Sequence, residues 1–578
     1  MPHNVAYVIS PATKASVPHR ERLMPLPANT LRPQITPPLP DSTPLRILKR
    51  RNKDIFVILT FAASCMAAML CLLPAVGHDQ LWCLYVAQRL LHGTKLYGPE
   101  ILESNPPLVM GMLLLPAKLA SLTALPVTAL FKLGVLLLET ASAIASLKLL
   151  RRLKPAITPA ITPAITPAQL WALAFVFVTI FAALPARDFG QRDHLLAILC
   201  IPYVLAAALD ATPAAFRLNL PARLAIGITA GVGLSLKPHH LLVPIAIEAV
   251  LLFKIRRLRA EPVAILATCL TYLAAIRLIT PQYITDILPI LRDTYWAIGH
   301  LTFPQLITAA IELHILAALT ITLYLQQRRH SPSPAIVFFL LAGAASTLAY
   351  YLQGTGWYYQ QIPALSFFAC ALALLLTQLA HRKNMTAPRW SRTGIAALSI
   401  LAIALTAHFS GYTLTQPLTF PDGLSSIPDP AFLTTLTPGT PVAILTTVVD
   451  DSVPPIRTHN LLWAQRENNL WTLPAILRNE AAPNSIATAP PSHRLSPNRL
   501  AELSRLQHLW MVEDLTRWHP PLVLVLRCQD PTVSCQILED RHDDLLAWFS
   551  RDPAFREIWQ HYHLLRSSGP YDAYQLVP

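Results

Sequence analysis

Residues Gly77–Leu108 read GHDQLWCLYVAQRLLHGTKLYGPEILESNPPL and follow directly on the first long apolar segment of the chain. Asp79 places a carboxylate a few residues beyond that segment. The apolar residues in Leu81–Leu91 recur at helical spacing and predict a helix that lies in the membrane interface. An Asn-Pro-Pro-Leu sequence then opens a further apolar helix. A chain that only crossed a bilayer would not need such a loop, so we expect the loop to carry chemistry.

The composition is that of a polytopic membrane protein. Of the 578 residues, 53% are hydrophobic and only 13% are charged, and the mean hydropathy is +0.43. Apolar stretches that are long enough to cross about 30 Å of hydrocarbon recur along the chain up to residue 410. The formal net charge is +14, but the basic residues form short clusters between apolar segments. That pattern is typical of cytoplasmic loops, so we expect the lipid bilayer as a partner and no nucleic acid.

The basic clusters also set the direction of the crossings. All of them fall on the cytoplasmic side if the chain crosses the membrane roughly eleven times, with the N-terminus inside and the C-terminus outside. The segment 106–122 is short and is interrupted by Pro116 and Lys118, so we expect it to lie in the outer interface without crossing. The expected crossings are 55–75, 127–147, 169–186, 195–210, 222–236, 239–253, 262–280, 305–325, 334–352, 362–380 and 393–410.

The chain divides into three parts. Residues 1–47 are polar and rich in proline, which predicts a disordered cytoplasmic N-terminus. Residues 48–410 carry the crossings and form a mainly α, polytopic helical bundle with a large outer loop at 76–126. Residues 411–578 lose the membrane composition and contain strand-like runs at Val442–Val449 and Leu522–Leu526. They predict a small α/β domain on the extracytoplasmic face.

The unusual polar sequences all fall on the predicted outer side. Polar groups at helix ends beside a membrane are costly to hold there, which makes them functional candidates. Arginines can grip phosphate with two hydrogen bonds, and neighbouring carboxylates can orient them. A salt-bridged helix start, a snorkelling lysine and an interfacial aromatic belt are the structural alternatives. The candidates are Asp79, Arg187, Asp188, Arg192, Asp193, His194, Lys237, Trp357, Tyr358 and Tyr359.

The sequence offers little sign of a metal or a redox cofactor. It contains no CxxC or HExxH motif and no histidine cluster at ligand spacing, so no cofactor is required. A divalent metal stays an open alternative, because Asp79 and Asp188 could share an ion if the fold brings them together. Cys528 and Cys535 are seven residues apart. They form a candidate disulfide if the compartment that holds the predicted outer domain is oxidising.

Together these features resemble the GT-C superfamily of integral-membrane glycosyltransferases. Within that superfamily the chain is similar to the branch of the protein O-mannosyltransferases and the bacterial lipid A aminoarabinose transferases. It thus resembles glycosyltransferase family 39. The resemblance rests on Asp79, on the helix and turn YVAQRLLHGTKLY at Tyr85–Tyr97, and on Asn105–Leu108. It implies a GT-C bundle in the bacterial inner membrane, a polyprenyl-phosphate sugar as donor, and Asp79 as catalytic base.

Two positions depart from the pattern of these enzymes. Gln80 follows Asp79 where some members have glutamate. Asn105 stands where the aminoarabinose transferases have a lysine that contacts the donor phosphate. We therefore expect Lys95, Arg187, Arg192 or Lys237 to make that contact, with Asn105 and Glu103 in supporting places.

The implied reaction is transfer of the sugar, with inversion, to an envelope acceptor on the periplasmic face, where the C-terminal domain would also lie. The acceptor is a glycan, a lipid or a protein. A phosphate leaving group needs cations, and an acceptor hydroxyl needs one base. Two alternatives stay open: a transporter or flippase of lipid-linked sugars, and a non-catalytic envelope scaffold of the same fold. A transporter predicts inverted repeats and charges near mid-membrane, for which Glu139, Glu248 and Glu312 are the candidates.

Overall fold

The computed structural model describes residues 76–153, 177, 180–181, 184–185, 188–212, 217–256, 258–330, 333–384, 431–481, 489–533 and 543–577. The N-terminal segment 1–47, the first and last predicted crossings, and nearly all of the crossing predicted at 169–186 lie outside these residues. Arg187 and Cys535 lie outside them too.

The first two thirds of the described chain are helical. The helices are α1 His78–Leu91, α2 Leu108–Thr123, α3 Val127–Arg152, α4 Arg192–Asp210, α5 Leu220–Leu236, α6 Leu242–Ile255, α7 Ala260–Ile279, α8 Leu288–Thr294, α9 Phe303–Ala309, α10 Ile311–Gln327, α11 Pro334–Gln353 and α12 Ile362–Asn384. Short 3-10 helices at Pro238–Leu241, Tyr295–Ile298 and Tyr358–Gln361 precede or follow them, and a π-helical turn covers Tyr283–Ile287.

Within the described residues, five helical segments are long and apolar enough to cross a membrane. They are α3, α4, α7, α11 and Tyr358–Gln378. The pair α9 and α10, which is bent by 75°, would make a sixth, and α2 and α5 are shorter apolar helices. The helices coincide closely with the apolar segments that the sequence predicts. The full number of eleven crossings, the interfacial place of α2 and the sidedness of the loops stay predictions.

Helix α4 lies at the centre of the bundle. Its sequence is apolar on all sides, and nearly every residue from Arg192 to Leu209 is buried against α3, α5, α11 and α12. A helix that is apolar all round avoids water, either inside a protein or facing lipid. Here the neighbouring helices bury it. Helix α5 packs closely on α7, because a Cβ added at Gly227 or Gly231 would lie within 3 Å of α7 atoms. Small residues permit this close approach of two membrane helices.

A buried network of ions ties together the far ends of these helices. Arg223 bonds to Asp210 at 2.7 Å and to Glu261 at 3.0 Å. Arg259 bonds to the same Asp210 at 2.8 Å and to Glu248 at 2.5 Å. Glu248, a candidate for a mid-membrane transport site, lies on α6. It is therefore a member of an ion network that joins α4, α5, α6 and α7.

The C-terminal part contains one mixed sheet. Its strands are β1 Pro441–Leu445, β2 Leu462–Trp463, β3 Leu522–Leu526, β4 Tyr562–Ser568 and β5 Tyr571–Leu576, in the order β2-β1-β3-β5-β4. The first three strands are parallel, and β5 is antiparallel to β3 and β4. The helices of this part are α13 Ala431–Thr434, α14 Val453–Thr458, α15 Leu473–Glu480, α16 Pro497–Trp518, α17 Leu545–Phe549 and α18 Pro553–Trp559.

Both strand-like runs of the sequence become neighbouring strands. The run predicted at Val442–Val449 ends as a strand at Leu445, and a 3-10 helix, Val449–Asp451, follows it. The run Leu522–Leu526 is β3, which pairs with β1 from Leu522 to Val525. Cys528 is disulfide-bonded. Its predicted partner lies outside the described residues.

The sheet region packs directly against the first loop. The backbone N–H of Leu102 donates to the carbonyl of Arg466 at 2.7 Å, and Arg517 donates to the carbonyl of Pro99 at 2.6 Å. Arg89 lies over the ring of Trp518 at 5.3 Å. These contacts join two segments nearly 400 residues apart in sequence, so the loop and the sheet form one surface. The outer location of residues 411–578 remains a prediction.

Candidate active site

Asp79 lies at the start of α1, where the helix dipole favours a negative charge. Its carboxylate is 23% exposed and is contacted from two sides. Gln191 donates to Oδ2 at 2.7 Å, and Nη2 of Arg192 lies 3.4 Å from the same oxygen. Nε2 of His78 lies 3.4 Å from Oδ1. The structure therefore brings together two predicted site residues, Asp79 and Arg192, that are 113 positions apart.

The surroundings of Asp79 keep its carboxylate ionised. Burial by itself raises the pKa, but the charges of His78, Arg192 and Lys237 and the hydrogen bond from Gln191 act in the opposite direction. The net result is a pKa below the ordinary value of an aspartate. An ionised, partly exposed carboxylate can accept a proton from a bound hydroxyl group.

A glycine turn delivers Arg192 to this place. Gly190 has φ +77°, and a Cβ at that position would lie 2.3 Å from Cζ of Phe131. Only glycine fits both the backbone conformation and the space. The next residue, Gln191, caps α4 and accepts from the backbone N–H and Nε of Arg192 at 3.0 and 3.3 Å. Gln191 thus holds both Arg192 and Asp79, a role that the sequence analysis did not assign.

The side chain of His194 holds the backbone of the Gly190 turn. Its Nδ1 accepts from the backbone N–H of Gly190 at 3.0 Å, and its Nε2 faces Glu139 at 3.4 Å. Both side chains are buried. The candidate residue His194 therefore contacts the backbone of the turn. Its part in the reaction stays a prediction. Glu139, a candidate for a transport site, is the partner of this histidine.

Lys237 forms a second cationic position beside Arg192. Its Nζ lies 3.3 Å from Oδ2 of Asp193, 3.3 Å from Oε1 of Gln353 and 5.1 Å from the centre of the Tyr359 ring. Burial lowers the pKa of Lys237, and the charge of Arg192 lowers it further, while Asp193 opposes both. Asp193, which the sequence analysis placed in support of the arginines, has Lys237 as its ion-pair partner.

The first loop is held by a buried carboxylate. Glu103 accepts from the indole N–H of Trp82 and from the backbone N–H and side-chain amide of Asn105, the latter two at 2.7 and 2.6 Å. Burial raises the pKa of Glu103 in spite of these hydrogen bonds. The hydroxyl of Tyr97 donates to the carbonyl of Asn105 at 2.6 Å. Glu103 and Asn105 therefore shape the loop. Their supporting places at the site stay a prediction.

Four further candidates occupy different surroundings. Tyr359 is buried beneath Lys237, whereas Tyr358 donates to the carbonyl of Leu184 at 2.5 Å and so fixes the backbone. The ring of Trp357 lies 5.6 Å from that of Tyr359. Lys95 is exposed in the turn after α1 and takes no part in the described contacts of Asp79.

Tyr295 is a site residue that the sequence analysis missed. Burial raises its pKa to about 12, and the charges that act on it are those of Arg192, Asp79 and Glu103. Among the residues that the structure describes, no group of three or more His, Cys, Asp or Glu side chains is placed to hold a metal ion.

Asp450, like Tyr295, lies near the candidate site although no pattern in the sequence indicates this position. Its Oδ1 lies 2.7 Å from Nδ1 of His78, across 372 positions of sequence. The C-terminal part of the chain therefore reaches the neighbour of Asp79.

No protein-family model matches the sequence, and no curated protein matches it. Solved structures do match. ArnT from Cupriavidus metallidurans in the apo state is 12% identical with a TM-score of 0.54, and the match covers 90% of this chain and 98% of that chain. The chain has a GT-C fold. The same ArnT bound to undecaprenyl phosphate gives a TM-score of 0.50 at 13% identity, over 90% of this chain and 97% of that chain.

A further solved structure of the GT-C superfamily matches more distantly. It is the archaeal oligosaccharyltransferase AglB from Archaeoglobus fulgidus in complex with an inhibitory peptide and a dolichol-phosphate. The match is 10% identical with a TM-score of 0.44, over 90% of this chain and 74% of that chain. The GT-C fold that the first loop predicts is confirmed by the ArnT matches. At such identities a fold does not determine an activity, so the function has to be argued from the site.

Proposed function

We propose that this protein is a membrane glycosyltransferase that takes a sugar from a polyprenyl-phosphate-linked donor and transfers it to an envelope acceptor. The observation that carries the proposal is the pairing of an ionised, partly exposed Asp79 with the cation of Arg192, with Lys237 close enough to lower the pKa of the same carboxylate. On a GT-C fold this pairing supplies the two things that the reaction needs, a base and cations for the phosphate.

The reaction would be a single displacement. Asp79 takes the proton of the acceptor hydroxyl as its oxygen bonds to the anomeric carbon. The bond between that carbon and the phosphate oxygen breaks, and the electron pair leaves with the lipid phosphate. Arg192 and Lys237 stabilise the charge that develops on the phosphate, which charge-assisted hydrogen bonds do well. One displacement inverts the configuration of the sugar.

The cations are suitably arranged for that role. The described hydrogen bonds of Arg192 use Nε and Nη2, and a guanidinium carries five N–H donors. The donors that remain can bind phosphate oxygens. Lys237 is held by Asp193 and Gln353, so its ammonium group is fixed before the substrate binds. Groups that are already in place do not have to reorganise during the reaction.

The membrane setting fits a lipid-linked donor, which would reach the site by diffusion within the bilayer. We place the site on the periplasmic face of the bacterial inner membrane, following the distribution of basic clusters. The acceptor is an envelope glycan, lipid or protein, and the C-terminal part of the chain covers the site from the acceptor side.

Sugar transfer in membranes tests the proposal, with a panel of radiolabelled polyprenyl-phosphate sugars and wild-type or Asp79→Asn protein. We expect at least one donor to be used and the variant to lose about 10²- to 10⁴-fold in rate, the usual contribution of a general base. Asp552→Asn is the matched control, because Asp552 caps α18 and asparagine caps a helix equally well.

Two outcomes would count against the proposal. Inactive wild-type protein with every donor would remove the transferase function. Full activity of Asp79→Asn would move the base elsewhere, and Asp188, Asp193 and Glu103 would be the next carboxylates to replace.

A further inference from the structure

Asp450 joins the sheet region to His78, the residue that precedes Asp79. Its Oδ1 lies 2.7 Å from Nδ1 of His78, and Nε2 of His78 lies 3.4 Å from Oδ1 of Asp79. One imidazole therefore stands between two carboxylates. The exposed fractions of the three side chains are 28% for His78, 23% for Asp79 and 34% for Asp450. All three side chains are therefore partly exposed.

Asp450 is held in place by its own surroundings. It lies in the 3-10 helix Val449–Asp451, just beyond the end of β1. The hydroxyl of Ser452 donates to the carbonyl of Val449 at 2.7 Å. The next residue, Asp451, is fully buried and accepts from the hydroxyl of Tyr571 at 2.6 Å. Asp450 is thus presented to His78 from a fixed turn.

The position of this turn in the sheet is also informative. β1 is parallel to β2 on one side and to β3 on the other, and the chain passes from β1 to β2 and then back to β3. The carboxyl end of β1 therefore lies where the order of the strands reverses. Open parallel sheets place their functional residues at such a point. Here Asp450, which follows β1, contacts His78.

We propose that Asp450 is a positioning residue for Asp79 and that it acts through His78. The inference rests on the transferase function proposed above. A hydrogen bond from Nδ1 to Asp450 fixes the plane of the imidazole, so that Nε2 is directed to Oδ1 of Asp79. Gln191 and Arg192 hold the other oxygen, Oδ2, at 2.7 and 3.4 Å. The base is therefore oriented from both sides, and the second side depends on the C-terminal part of the chain.

Asp450→Ala and Asp450→Asn test the inference, with kcat and the KM for the donor measured separately. The alanine variant should lower kcat about 10- to 100-fold, because a base displaced by about 1 Å loses that much. Donor KM should change less than about twofold, since no donor contact is lost. Asparagine keeps an oxygen that accepts from Nδ1, so Asp450→Asn should keep more activity than Asp450→Ala.

Control variants separate positioning from folding. Asp552→Asn and Glu557→Ala change carboxylates on α18, and Glu557 is exposed. Both should transfer sugar at the wild-type rate. The thermal midpoint of Asp450→Ala should stay close to that of the controls, because a partly exposed ion pair contributes little to stability.

A double-mutant cycle with His78→Ala decides whether Asp450 acts through the histidine. If it does, Asp450→Ala changes kcat less than about twofold when His78 is already alanine. A full effect of Asp450→Ala in that background, or wild-type kcat of Asp450→Ala alone, would overturn this inference and leave the transferase proposal intact. Wild-type protein that transfers no sugar would overturn both.

Discussion

Gly190→Ala is the substitution whose effect the structure defines best. Gly190 lies two residues before Arg192, in the turn that brings this arginine to Asp79. Its φ is +77°, which side chains with a Cβ rarely adopt. The new methyl group would lie 2.3 Å from Cζ of Phe131 and 3.0 Å from Cγ2 of Val135, both on α3. Neither the turn nor α3 can accommodate it without moving.

The magnitude is the sum of two costs. A left-handed backbone costs an L-residue about 1–2 kcal/mol. Forcing a group into a filled core typically costs about 1–3 kcal/mol. The free energy of unfolding should therefore fall by about 2–5 kcal/mol, which corresponds to a thermal midpoint lower by roughly 2–4 °C in a chain of this size. Any relief by movement of the turn displaces Gln191 and Arg192, so transfer activity should fall as well.

Thermal melts of purified protein in detergent and transfer assays in membranes measure both effects. Gly134→Ala is the matched control. Gly134 lies in α3, the helix that carries Phe131 and Val135, and a Cβ at Gly134 meets nothing within 4 Å. That control should be neutral or slightly stabilising, since alanine favours a helix over glycine by about 1 kcal/mol. If Gly190→Ala melts within about 1 °C of Gly134→Ala, the described packing of this turn is wrong.

Two further predictions concern charged groups. Arg192→Ala should reduce transfer about 10²- to 10³-fold at equal protein levels, by loss of phosphate stabilisation. Since the Arg192 charge lowers the pKa of Asp79, the acid limb of the pH–rate profile should also move to higher pH, and an unchanged rate would remove Arg192 from the site. Burial raises the pKa of Glu467 from 4.5 to about 8, so the folded protein holds a proton that the unfolded chain releases, and stability falls as the pH rises through this range. Glu467→Gln should therefore melt later than wild type near pH 8.5 with little difference near pH 5, and a pH slope equal to that of wild type would contradict the burial of this carboxyl.

The sequence predicted the fold class and much of the site because those features have local signals. Apolar segments of helical length mark α3, α4, α5, α7 and α11, whatever surrounds them. Asp79 and Arg192 stand out because charged residues at the ends of such segments are rare. The strand-like runs that become β1 and β3 are recognisable from their β-branched and leucine residues alone.

The rest depends on contacts between distant parts of the chain. No residue close to Asp450 in sequence indicates its contact with His78, because the two residues are 372 positions apart in the chain. Tyr295 lies in a single 3-10 turn without periodicity. Asp193 and Lys237 were both expected at the site, but their pairing with each other follows from the way α4 packs against the end of α5. Spacing along the chain cannot show such pairings.

The central place of α4 has a consequence for how the protein tolerates mutation. A helix at the lipid boundary, such as α7, faces its neighbours mainly through Glu261, Ala264 and Ile265 and leaves Leu266, Leu270 and Leu273 to the lipid. Random substitutions in α7 should therefore be harmful with a period of about 3.6 residues. In α4 no side faces lipid or water, so harmful positions should follow one another without any period. The helix that carries Arg192 would then appear in a mutational scan as an unbroken block of intolerance, from the site at one end to the ion network at the other.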